Sequence, residues 1–97
     1  MDKLNGTWKV SARVGHNKGT ATFEFFQNDD GSLRGTYTGL VGSANLTGKV
    51  DGQRVEFSFH SQQGGRVTYV GSRDGDEMSG TCTYEAAGSG SFEGHRA

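Results

Sequence analysis

The 97-residue sequence has no proline, one cysteine, one tryptophan and no excess of either charge, the formal net charge being −1. Each scarcity removes a class of protein. A disordered linker would be rich in proline and poor in rings, whereas six phenylalanines, three tyrosines and Trp8 are spread along this chain. Cys82 stands alone, so an internal disulfide is impossible and a reducing, cytoplasmic setting is expected. Acidic and basic residues interleave without runs of one sign, which disfavours nucleic acid or a membrane surface as partner. No stretch is long and apolar enough to cross a bilayer as a helix, and Met1-Asp2-Lys3-Leu4-Asn5 leads straight into Gly6-Thr7-Trp8 without the apolar core of a signal peptide. At 31% hydrophobic residues, a single domain over 1–97 is expected, near the small end of what folds without staples.

What the chain has in abundance is glycine, at 17 residues, set within period-two alternation. In Asp30-Gly31-Ser32-Leu33-Arg34-Gly35-Thr36-Tyr37-Thr38-Gly39 a turn opens a strand with Leu33, Gly35, Tyr37 and Gly39 on one face and Arg34, Thr36 and Thr38 on the other. Inward glycines leave bare backbone where a strand coils tightly or something approaches closely. Trp8, Val10, Ala12 and Val14 alternate in the same way, ended by Gly15 to Gly19; Ala21, Phe23 and Phe25 follow, leaving Phe26 outward. A turn at Val41-Gly42-Ser43 precedes Ala44, Leu46, Gly48 and Val50, and Asp51-Gly52 reads as a type I′ hairpin turn before Val55, Phe57 and Phe59. Gln62 to Gly65 closes that strand. Val67, Tyr69 and Gly71 face in, Asp74-Gly75 turns into Met78, Gly80, Cys82 and Tyr84, and the loop Ala86 to Gly90 leads to Phe92, Gly94 and Arg96.

Eight short-looped strands with one apolar face must hide that face. A Greek-key sandwich needs a long crossover, and none is present. The expected fold is therefore all-β, an eight-stranded antiparallel up-and-down barrel.

Gly6-Thr7-Trp8 on the first strand, with Leu33-Arg34-Gly35-Thr36-Tyr37 one hairpin later, resembles the avidin and streptavidin family and, more loosely, the calycin group that includes lipocalins. The resemblance covers about the first forty residues and the last strand. It implies that Arg96 lies across the Trp8 ring as a structural plug, and that Tyr37 stands where the family places a tyrosine hydroxyl against the biotin head. The family's polar partners are missing, since Val10 and Gly39 occupy the asparagine and serine positions and no later tryptophan exists. A site that loses its buried donors loses several kcal/mol of discrimination, so biotin affinity of the family's kind is not expected.

The candidate ligand-binding residues are the inward rings, Tyr37, Tyr69, Tyr84, Phe23, Phe25, Phe57 and Phe59. An eight-stranded barrel is either filled by its side chains or holds one small ligand. The expected function is thus binding of a small hydrophobic ligand, entering between the Gly15 to Gly19 and Ala86 to Gly90 loops. A closed-core accessory domain, monomer or homo-dimer, is the alternative. A cyclase that works by shape, with tyrosine donors, is the third. No catalytic residue, metal or cofactor is expected: His16, His60 and His95 fall in a loop and on outward faces, and Cys82 reads as a small buried hydrophobe.

Overall fold

Each alternating stretch forms a strand. The computed structural model describes residues 3–39, 42–62, 65–85 and 87–97. Its strands are β1 (Gly6–Val14), β2 (Asn17–Gln27), β3 (Ser32–Gly39), β4 (Gly42–Asp51), β5 (Arg54–His60), β6 (Arg66–Asp74), β7 (Glu77–Tyr84) and β8 (Gly88–Arg96). All neighbours are antiparallel, and β1 pairs back onto β8 from Trp8 opposite Arg96 to Val14 opposite Gly90, which closes the barrel in up-and-down order. Closure leaves no unpaired edge. Val41, Gln63, Gly64 and Ala86, parts of three expected turns, lie outside the described residues, as do Met1 and Asp2.

The turns differ from expectation by one residue. Asp51 pairs with Arg54 and Asp74 with Glu77, so the central residues are Gly52-Gln53 and Gly75-Asp76, with positive φ only at the glycines. Glycine at the first central position is the signature of the II′ turn, the other turn that matches strand twist. Gly15-His16 repeats the pattern between Val14 and Asn17, which puts Asn17, Lys18 and Gly19 in β2 rather than in a loop. Likewise Gly88 to Gly90 belong to β8, paired with Tyr84 to Cys82, and Gly42 and Ser43 belong to β4.

Burial follows the predicted parity. Trp8, Val10, Phe23, Phe25, Leu33, Tyr37, Leu46, Phe57, Tyr69, Cys82 and Phe92 are all buried, and no polar or charged residue is buried with them among the described residues. Phe23 sits at the middle of the barrel, with ring centroids of Phe25, Tyr37, Phe57 and Tyr69 at 5.6, 5.3, 5.2 and 5.4 Å. Aromatic pairs in this range add about 0.5–1.5 kcal/mol beyond area burial.

One end of the barrel is shut. Residues 3–5 cross it, with Leu4 fully buried and its carbonyl accepting the Trp8 indole N–H at 3.0 Å. Gln27 fastens this strap in both directions: its side chain accepts from the Leu4 N–H at 2.9 Å, and its own N–H donates to the Asn5 side chain at 2.7 Å. The Arg96 guanidinium lies 4.9 Å over the Trp8 ring, donates through Nε to Asp76 at 2.8 Å, and caps the Asn5 and Lys3 carbonyls. A planar fork that stacks and donates at once is a task for arginine rather than lysine.

Candidate functional site

At the opposite end the strands run out of large side chains before they run out of length. Ala12, Gly19, Ala21, Gly39 and Ala44 take inward positions there. Above them lies a recess of about 310 Å³, lined by Ala12 and Val14 of β1, Asn17 to Ala21 of β2, Tyr37, Tyr69, Tyr84 and Ala87. That volume is at the lower limit of small-molecule pockets.

The three tyrosines meet in this recess. The Tyr69 and Tyr84 hydroxyls are 2.6 Å apart, a short O–H···O bond. The Tyr37 ring stacks on Phe59 at 4.3 Å, and its hydroxyl passes so close above Gly39 that a Cβ there would stand 2.4 Å from it. Gly39 therefore makes room for the Tyr37 hydroxyl, where the resemblance to avidin would put a serine. Val10, at the asparagine position, is 2% exposed within the apolar core.

Burial pushes the Tyr69 phenol far above its usual range, and the hydrogen bond with Tyr84 adds to the effect. Burial also raises Tyr84, while its bond to Tyr69 opposes the rise. A phenol whose pKa rises on folding keeps its proton in the native state after the unfolded chain has lost it. Its stabilisation is thus complete below the ordinary tyrosine pKa of about 10 and is lost as pH climbs above it, by about 1.4 kcal/mol per pH unit for Tyr69. Denaturant midpoints should therefore fall steeply above pH ~10. Tyr69→Phe should flatten that limb; an unchanged slope in the variant would refute the assignment.

Of the residues singled out by sequence, Tyr37, Tyr69 and Tyr84 line the recess, whereas Phe23, Phe25, Phe57 and Phe59 lie below it in the packed core. Cys82 is fully buried with its thiol pushed up by burial, its Sγ directed at the Ser91 carbonyl at 3.7 Å. The small lining residues Ala12, Gly19 and Ala21 were missed as site residues, although their inward parity at strand ends was a readable sign of unfilled space.

A larger groove, of about 800 Å³, runs on the outer wall of β6, β7, β8 and β1 past Lys9, Asp74, Glu77, Glu93 and His95. Size alone does not make it the better candidate, because apart from the buried Val10 and Met78 at its floor its side chains belong to the solvated face of the sheet. Among the described residues no group of three His, Cys, Asp or Glu is placed to hold a metal ion. Among them, too, no helix is long and apolar enough to cross a membrane. Comparison with protein-family models, with curated proteins and with solved structures finds no match to this chain.

Proposed function

We propose that the barrel binds a small, largely apolar molecule in the tyrosine-lined recess, in the manner of the avidin-like and lipocalin-like barrels it resembles. The observation that carries this reading is the coincidence of about 310 Å³ of space with three phenols at the only end not closed by Trp8, Leu4 and Arg96 among the described residues. Apolar walls with a few convergent polar groups are the usual make-up of a small-molecule site. Taking water's share of liquid volume, about 30 Å³, as the unit, the recess holds a molecule of about ten non-hydrogen atoms.

The test is to fill the space. Ala12→Leu puts an isobutyl group where the ligand would sit, without adding charge. Binding of an aromatic probe such as butylbenzene, followed by amide shifts of Ala21, Tyr37 and Tyr84, should weaken at least about tenfold, or about 1.4 kcal/mol. Equal affinity in the two proteins would remove the recess from consideration.

The packed rings beneath the recess favour a second reading, a closed-core domain that acts through its outer surface. The outward faces are mostly Ser, Thr and charged residues, the inverse of a barrel that meets lipid. Should the wild-type protein release nothing on denaturation and show no shifts with any apolar probe, this reading replaces the first. Native mass measurement would then separate the monomer from the homo-dimer.

A further inference from the structure

We propose that the recess selects ligands by their head group, taking a compact apolar molecule that ends in an uncharged oxygen, a hydroxyl or a ketone, and rejecting the carboxylate and the ammonium. The inference rests on the binding function proposed above and names the ligand class.

The first ground is the position of charge. Among the described residues, Arg73 and Arg96 are the charged side chains of inward parity, and both sit at the shut end, Arg96 held by Asp76 and the strap carbonyls and Arg73 donating to the Gly75 carbonyl. Lys18 is the one charged residue along the recess, and it lies on the outward parity of β2, exposed. An anion or cation brought among Ala12, Val14, Ala21 and the tyrosine rings would surrender its hydration with no counter-charge inside the barrel, which costs far more than burying a neutral polar group.

The second ground is what the phenols offer. Tyr37, Tyr69 and Tyr84 carry three hydroxyl protons between them and use two, one in the Tyr69–Tyr84 bond and one in the bond between Tyr84 and Tyr37. The three phenols together retain one proton and several lone pairs, and because either oxygen of the Tyr69–Tyr84 bond can be the donor, rotation lets them present a donor or an acceptor. A ketone oxygen takes the donor; an alcohol takes either. A plain hydrocarbon satisfies neither, so the recess distinguishes it from an oxygenated analogue through hydrogen bonding. Tyr69 and Tyr37 are buried, so Tyr84, half-exposed and bonded to both, is the member that reaches a ligand.

The experiment uses one carbon skeleton with five heads: butylbenzene, phenylbutanol, phenylbutanone, phenylbutanoate and phenylbutylamine, titrated into the whole protein and followed by amide shifts. The alcohol or the ketone should bind about tenfold more tightly than butylbenzene, and the carboxylate and amine about tenfold or more below the alcohol. Tyr84→Phe should cut alcohol affinity about tenfold more than butylbenzene affinity and so erase the preference for oxygen, a differential that simple loss of structure does not give. Carboxylate or amine binding equal to that of the alcohol would overturn the head-group inference while leaving the recess a ligand site. Equal binding of hydrocarbon and alcohol would do the same. No shifts with any of the five would remove the ligand site itself, and the inference with it.

Discussion

Gly35→Ala and Gly90→Ala should each destabilise the barrel by about 3 kcal/mol or more, a large share of the 5–15 kcal/mol of a typical small domain. A Cβ at Gly35 would stand 1.8 Å from the Glu24 carbonyl oxygen, and one at Gly90 would stand 1.7 Å from that of Arg13. Neither glycine has positive φ, so the obstacle is space rather than backbone strain. The atoms in the way are backbone of the adjacent strand, which cannot rotate aside as a side chain would. Gly71 and Gly80 repeat the arrangement as a directly opposed pair on β6 and β7, where a Cβ on Gly80 would meet the Gly71 Cα at 2.4 Å. These seams let strands of a small barrel coil tightly, while Phe25, Phe57 and Phe92 on the flanking positions fill the volume the glycines vacate.

The comparison that makes this sharp is with the turn glycines. Gly52 and Gly75 have φ of 62°, yet nothing lies within 4 Å of where a Cβ would stand. Alanine there meets only the backbone strain of a positive-φ turn position, about 1–3 kcal/mol. Urea midpoints by circular dichroism should therefore rank Gly35→Ala and Gly90→Ala below Gly52→Ala and Gly75→Ala, with melting temperatures lower by about 4–8 °C for each kcal/mol between them. Turn glycines that cost more than strand glycines would mean that the barrel is wider than described.

Much of this was readable in advance, and the reason is local. Parity along a strand is set by the backbone, so Trp8, Val10 and the inward aromatics could be assigned without knowing the fold, and short connections left closure as the way to hide them. The turn centres escaped by one residue because Asp-Gly favours the I′ turn in isolation, while here Asp51 and Asp74 are needed as the last paired residues of their strands. Height along the barrel axis was not readable at all. It depends on the stagger between strands, which no single strand encodes, and it is what divides Phe57 in the core from Tyr84 at the recess. The strap was invisible for a similar reason: Asn5 meets Gln27 and Arg96 across sequence separations of 22 and 91 residues, with no periodic signal to announce them.

The run Phe23-Glu24-Phe25-Phe26 offers the most direct check on which way the wall faces. Phe23 is fully buried at the centre of the ring cluster, whereas Phe26, three residues on, is 46% exposed with the Arg34 guanidinium 4.8 Å above it. Phe23→Ala should cost about 3–5 kcal/mol, since the surrounding rings on β3, β5 and β6 are fixed to separate strands and cannot all collapse into the space. Phe26→Ala should cost no more than about 1 kcal/mol, the worth of an exposed cation–π contact. If Phe23→Ala is too unstable to isolate, Phe23→Leu keeps a measurable protein with a smaller loss of about 1–2 kcal/mol. Denaturant melts of the three variants should thus separate cleanly. Equal losses at Phe23 and Phe26, or a larger one at Phe26, would require β2 to be turned over by one residue, which would carry Tyr37, its partner across the β2–β3 ladder, out of the recess as well.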